Sequence, residues 1–194
     1  MIDSHSLPSI PSNRLVLRQL VQSDVDSLYA VFSDPRVMQY WSRLPMTERQ
    51  EALELFLSIE KGRLAHEFFQ WGIARQSDDI VIGTCTLFRI DKNNRRAELG
   101  YALGSAHWKQ GLMNEALQGL LKFAFDSLNL HRLEADVDPR NAPSISSLHR
   151  LGFQKEGYLR ERWLVGGDIQ DALFFGLLHH EWRSKLSSSD ATTS

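Results

Sequence analysis

The sequence predicts a mixed α/β layer fold. Three observations lead there. Short β-branched, partly alternating segments recur along the chain and are interleaved with segments of helical spacing. Three strand-like segments follow one another across short polar turns, the pattern of an antiparallel meander. One segment after Gly111 carries Met113, Ala116, Leu117, Leu120, Leu121, Ala124 and Leu128 at three- and four-residue steps, a helix with one apolar stripe.

In chain order, RLVLRQLV at 14–21 reads as a strand. Ser23 with Asp26 forms a capping box that opens a short helix to Phe32, and Asp34-Pro35 stops it. Thr47 with Gln50 forms a second box. The helix behind it carries Leu53, Phe56, Leu57 and Ile59 and ends near 62–64. The meander occupies 68–75, 80–90 and 96–103, with turns at 76–79 and 91–94. After the amphipathic helix, 131–137 turns Leu133, Ala135 and Val137 inward as a strand, and 142–151 is a short helix. Segments 153–165 and 170–178 are strands of a hairpin turning at Gly166-Gly167-Asp168.

The chain has 194 residues, 42% hydrophobic and 24% charged, a soluble globular mix that excludes disorder and fibrous repeats for its body. About 70% of the unfolded surface can be buried at this length, so no covalent staple is needed. We divide it into a flexible arm (1–13), a single domain (14–183) and a polar, frayed tail (184–194). The net charge of −2 provides no basic field for nucleic acid. One cysteine, Cys85, allows no internal disulfide. No apolar run approaches the ~18 residues of a membrane span. The first dozen residues lack the pattern of a signal peptide. These features predict a cytoplasmic protein without membrane or nucleic-acid partners; a homodimer stays open.

The most informative stretch is Trp108-Lys109-Gln110-Gly111-Leu112-Met113-Asn114-Glu115-Ala116, between a strand and the amphipathic helix. A glycine there lets backbone approach a ligand, and the amides that follow point out of a helix N-terminus. Such an end suits pyrophosphate, and Lys109 adds a cation. No P-loop and no G-x-G-x-x-G fingerprint is present.

Together with AELGYAL at 97–103, Asn141-Ala142-Pro143-Ser144 and LGFQKEG at 151–157, this stretch resembles the GNAT family, the GCN5-related N-acetyltransferases. The similarity is greatest to the ribosomal-protein N-terminal (RimJ/RimL-like) group, which RLVLRQL and DPRVMQYW also resemble. It runs over about 13–182. It implies a mostly antiparallel, twisted sheet of about seven strands, flanked by helices and splayed in the middle. It implies acetyl transfer from acetyl-CoA to a primary amine by direct attack, without a covalent enzyme intermediate and without a metal.

The family's Q/R-x-x-G-x-G/A loop falls on residues 108–113. Gly111 matches; Trp108 and Met113 depart. By position the resemblance implies acetyl-CoA contacts from the Tyr101, Ala102 and Leu103 backbone. It extends them to Lys109, Gln110, Gly111, Leu112, Met113 and Asn114, and to Asn141 and Ser144. Asn141 is equally a good helix N-cap. Where many members carry an acidic Tyr, this chain has Leu148, which leaves Ser144, Ser147 or water to protonate the leaving sulfur. A strand Glu of the RimL-like branch falls on Trp163.

Glu98 is therefore the first candidate base, acting through water, with pairing to an arginine such as Arg96 as its structural alternative. Glu161 ranks second, because strand parity turns it to the side of Trp163. Tyr40 and Trp41 are candidate acceptor contacts, whereas Trp71 reads as core. Cys85 reads as a buried small hydrophobe. His179-His180-Glu181 lacks zinc-site spacing, and Arg160 and Arg162 read as a solvated face. Acidic residues are sparse over 37–53, which favours a protein N-terminal α-amine as acceptor. Small amines such as polyamines or aminoglycosides, and a non-catalytic acyl-CoA-binding module, remain alternatives.

Overall fold

The computed structural model describes residues 6–190. Eight strands form one sheet: β1 (Ile10–Pro11), β2 (Leu15–Gln19), β3 (Phe69–Arg75), β4 (Val81–Asp91), β5 (Arg96–Leu103), β6 (Arg132–Val137), β7 (Gln154–Val165) and β8 (Asp168–Leu178). Their order is β1-β2-β3-β4-β5-β6-β8-β7. Every pairing is antiparallel except β5 with β6, which is parallel. The helices are α1 (Val25–Phe32), α2 (Pro35–Met38), α3 (Arg49–Leu64), α4 (Leu112–Lys122), α5 (Ala142–Leu151) and α6 (His179–Asp190).

Helices cover both faces. Ala97, Leu99 and Leu103 of β5 pack with Leu117, Leu120 and Leu121 of α4 and Leu148 of α5. Ala102, pointing the other way, packs with Leu28, Val31 and Phe32 of α1 and Phe56 and Ile59 of α3. The alternation along one strand thus feeds two cores. Trp71 is fully buried, its indole N–H donating to Pro8 O at 3.0 Å.

Helix starts follow side-chain chemistry, shifted from the predicted boxes. The Asp24 carboxylate accepts the Val21 N–H at 2.8 Å, ahead of α1, while Asp26 binds Arg49 instead. Glu51, one residue beyond the predicted Gln50, accepts the Thr47 and Glu48 N–H groups at 2.7 and 3.0 Å. Two residues competing for one cap are separated only by geometry. The helix predicted from Gly111 ends in a π-helical turn, Phe123–Ser127. α1 ends at Phe32, as predicted, and a one-turn helix not read from the sequence, α2, follows it, because Asp34 caps it and proline suits a first helical turn.

The lead-in differs from expectation. Leu7 is buried, and β1 pairs with β2. The part of the arm over 6–13 is therefore laid down on the sheet; residues 1–5 lie outside the described ones. At the other end, α6 runs through Asp190 and covers much of the segment expected to fray, its Trp182 buried against Phe125; residues 191–194 lie outside the described ones. Among the described residues no helix is long and apolar enough to cross a membrane.

Because Leu7 fills a core position, Leu7→Ala is expected to cost about 2 kcal/mol and to lower the melting temperature by roughly 4–8 °C. Thermal unfolding checks this; an unchanged midpoint would mean that the segment is a free arm in solution.

Candidate active site

β5 and β6 pair over only three positions, Arg96↔Arg132, Ala97↔Leu133 and Glu98↔Glu134. Beyond them the strands part, while β5 stays paired with β4 through Leu103 and β6 with β8 through Val137. The β5 edge over 99–103 thus faces a gap without a strand partner, and its backbone polar groups need one. A cavity of about 380 Å³ fills the gap. Leu99, Val137 and Leu148 of one core line it together with Phe32, Trp41 and Leu55 of the other side, so it passes through the sheet.

The loop 104–111 leads from β5 into α4. The Trp108 indole N–H donates to Leu103 O at 2.7 Å, which gives this residue, a departure from the family pattern, a role in pinning the loop. Lys109 (φ 60°) and Gly111 (φ 75°) both take left-handed conformations. That turn leaves the Gly111 N-cap without a side chain and opens the first amides of α4. A methyl group at Gly111 would touch only Arg14, at 3.6 Å, so backbone conformation rather than protein crowding requires the glycine. Lys109 and Gln110 are exposed and Leu112 is buried. Asn114 Oδ1 is buried and has no hydrogen-bond partner among the described residues. An open helix N-terminus, an unpaired strand edge and an orphaned amide oxygen are together what a pyrophosphate and a pantetheine arm with its amides would satisfy. The residues fit acetyl-CoA.

Arg14 braces this loop, donating to Gln110 O at 3.0 Å and to Glu115 at 2.7 Å. Burial opposes the charge on Glu115, but bonds from the Arg14 N–H, Ser12 and the Arg14 side chain outweigh it and hold the carboxyl below its usual range.

Asn141 and Ser144 stand at the start of α5 on the cavity wall. Asn141 Oδ1 accepts the Ser144 N–H at 3.1 Å, so its carbonyl caps the helix and its NH2 group is left over. Ser144 Oγ lies 2.7 Å from the Tyr101 hydroxyl. Burial pushes the Tyr101 phenol up to about 12, against the opposing effect of the Ser144 hydrogen bond, so it keeps its proton throughout the physiological range. Sequence reasoning assigned Tyr101 by its backbone alone and missed this hydroxyl; the available signal was its parity, which it shares with Ala97, Leu99 and Leu103 on the α4/α5 face. Leu148 is fully buried core. Ser147 donates to Pro143 O within α5 and does not line the cavity.

Neither candidate base lines the cavity. Glu98 is buried, one residue from the lining Leu99 and across from the lining Phe88. Both its oxygens accept from Arg89 Nη1, at 2.8 and 2.9 Å; the expected partner Arg96 goes to Glu134 instead. Glu161 is exposed at φ 54°, where the β7–β8 register slips between Leu159 and Trp163. Parity fails across such a bulge. The Glu161 N–H donates to Asp171, and Trp163, not Glu161, reaches the cavity.

Tyr40 and Trp41 both line the cavity, Trp41 edge-on to Phe32 at 5.4 Å. So do four charged residues that sequence reasoning did not single out: Arg43, Asp136, Asp138 and Asp171. They come from three distant segments, so only the fold assembles them. Burial works against the Asp138 charge, but Arg140 outweighs it, at 2.5 Å, and keeps it ionised. Arg140 also stacks over Tyr40. Asp136 has Arg162 at 3.4 Å, which corrects the reading of Arg162 as merely solvated. Asp171 accepts from Tyr158 and the Glu161 N–H, and these hold it below its usual range.

Two further side chains have structural surroundings only. Cys85 is buried, and burial pushes its thiol up. His179 stacks on Phe125 at 5.5 Å, and no group of three or more His, Cys, Asp or Glu among the described residues could hold a metal.

Residues 14–154 match the family model of the acetyltransferase (GNAT) domain. An uncharacterized N-acetyltransferase, p20 of Bacillus licheniformis, is 40% identical over 176 residues, 91% of this chain and 99% of its own. The spermidine N-acetyltransferase of Vibrio cholerae, solved with CoA and spermine, superposes with a TM-score of 0.77 at 24% identity, over 87% of this chain and 98% of its own. The ribosomal-protein-S5-alanine acetyltransferase of Vibrio fischeri gives 0.78 at 22%, over 90% and 98%. With its splayed strands, open loop and paired hydroxyls, this chain belongs to the GNAT family and is an acetyl-CoA-dependent N-acetyltransferase.

Proposed function

We propose that the acceptor is a protein N-terminal α-amine, of the ribosomal-protein type. The observation that carries this is Arg43, a guanidinium on the cavity wall that forms no ion pair among the described residues. A polyamine keeps further ammonium groups after one amine is neutralised, and each needs a free carboxylate once desolvated. Asp136, Asp138 and Asp171 favour such a polycation by their number, and the Vibrio cholerae protein is named for spermidine. Yet Arg162 and Arg140 already pair with Asp136 and Asp138, which leaves Asp171, held by the uncharged Tyr158 hydroxyl, as one carboxylate for a cation, and Arg43 repels a polycation. An α-amine also suits a site without a strong base. With pKa ~8, roughly a fifth is neutral near pH 7.4, against about 0.1% for a lysine side chain.

Bound acetyl-CoA supplies the acetyl group as a thioester; this chain's residues orient it and handle protons. The 99–103 edge and Asn141 align the arm, and the Tyr101–Ser144 pair offers a hydroxyl proton to the departing sulfur. Glu98 takes the amine's proton through water from just beyond the cavity edge.

Acetyl-CoA consumption with N-terminal peptides, spermidine and an aminoglycoside tests the acceptor. Peptides are expected to turn over at least tenfold faster in kcat/KM; preference for spermidine would overturn the reading.

A hydrogen bond to developing charge contributes about 1.5–3 kcal/mol. Tyr101→Phe and Ser144→Ala are each expected to lower kcat about 10–150-fold with little change in KM for acetyl-CoA. Because the hydroxyls act as one unit, the double variant should cost little more than the worse single one. Steady-state kinetics at saturating peptide reads this directly.

For Glu98→Gln we expect a kcat loss near pH 7 that shrinks as pH rises and free amine accumulates. A pH-independent loss would instead confine Glu98 to its ion pair with Arg89.

A further inference from the structure

Arg43 lies in the loop between α2 and α3, and its surroundings leave its charge unanswered. Its Nε is buried and has no hydrogen-bond partner, and no ion pair involves it among the described residues. Its guanidinium carbon stands 4.9 Å from the Phe32 ring centroid. The acidic residue that acts on it through space is Glu51, but that carboxylate is taken by Thr47 and Glu48 at the start of α3. Desolvation by burial depresses its pKa, the mark of a cation short of compensation. A cavity-wall guanidinium in this state is costly unless something entering the cavity answers it.

The cavity's other charges lie on the far strands: Asp136 on β6, Asp138 just after it and Asp171 on β8. Among the described residues the cavity is therefore bipolar, with Asp171 on the β6–β8 wall as a carboxylate without an ion pair and Arg43 on the α2–α3 loop as a guanidinium without one. An acceptor that answers both ends carries an amine and, a short distance away, an anion. The planar fork of arginine matches a carboxylate with two parallel hydrogen bonds.

We propose that Arg43 is a carboxylate-binding subsite that selects acceptors with an acidic group next to the reacting amine: a peptide whose first or second residue is Asp or Glu. This rests on the reading of the acceptor as a protein N-terminus. The chemistry alone, an amine beside a carboxylate, is shared with a free amino acid, and the test separates the two.

The experiment compares kcat/KM for C-terminally amidated peptides beginning Ser-Glu and Ser-Gln, otherwise identical, and for free glutamate and spermidine. Each is run with the wild-type protein, Arg43→Gln and Arg43→Lys, with melting temperatures confirming folding. We expect wild type to prefer Ser-Glu over Ser-Gln by about tenfold or more, the effect of a hydrogen bond to a charged group. The ratio should fall to near one in Arg43→Gln and to an intermediate value in Arg43→Lys, which keeps the charge but loses the fork. If Arg43→Gln does not fold, the ratios of wild type and Arg43→Lys decide. Equal rates for the two peptides in wild type, or a preference that survives Arg43→Gln, overturn the subsite. Free glutamate outrunning both peptides, with the advantage lost in Arg43→Gln, keeps the subsite and overturns the protein N-terminus. Spermidine outrunning every carboxylate-bearing acceptor overturns both.

Discussion

The parting of β5 and β6 is the constraint on which the rest of this molecule depends. Two parallel strands that stayed paired would satisfy each other's backbone groups and close the sheet. Here they separate after Glu98 and Glu134, two buried carboxylates standing side by side in register. Like charges so placed repel, and the chain surrounds them with arginines: Arg89 on Glu98, and Arg96 and Arg132 on Glu134. The last paired rung is thus a polar knot. Beyond it lie an unpaired strand edge and a cavity through the sheet.

The cofactor loop is held from a distance in sequence. Arg14, Ser12 and the Arg14 backbone all converge on Glu115 in the first turn of α4. Glu115 brings negative charge to a helix end that favours it, while the amides ahead of it stay open. The N-terminal segment is part of the cofactor site's support rather than an appendage, since the same stretch buries Leu7 and accepts the Trp71 indole bond.

The acceptor side is built on a different principle. Its aromatic walls, Phe32, Tyr40, Trp41, Phe88 and Trp163, supply shape, and its charges supply orientation. Asp136 and Asp138 are paired with arginines, whereas Asp171 accepts only from neutral donors and keeps its charge toward the cavity. Arg43 forms no ion pair among the described residues, because the nearby Glu51 is committed to capping α3.

Most elements, their order and the left-handed turn ahead of α4 were legible in the sequence, since each rests on local periodicity or on a glycine ahead of an amphipathic helix. Strand β5 and helix α5 fall on their predicted bounds. Errors of one or two residues at α1 and α3 arose where neighbouring candidates, Asp24 and Asp26 or Gln50 and Glu51, compete for one cap. The acceptor wall was not legible. Arg43, Asp136 and Asp171 come together only when the hairpin β7–β8 folds back beside β6 and the α2–α3 loop closes from the opposite side. The bulge in β7 turned Glu161 outward against its parity, a slip no period-two count can register. The Tyr101 hydroxyl met Ser144 because the strands part at that point, bringing α5 against the open edge. The sequence by itself determined the family and the open turn ahead of α4, because backbone and helix-end chemistry is local. Only the tertiary structure decided which charges line the cavity, because that depends on contacts between segments about a hundred residues apart.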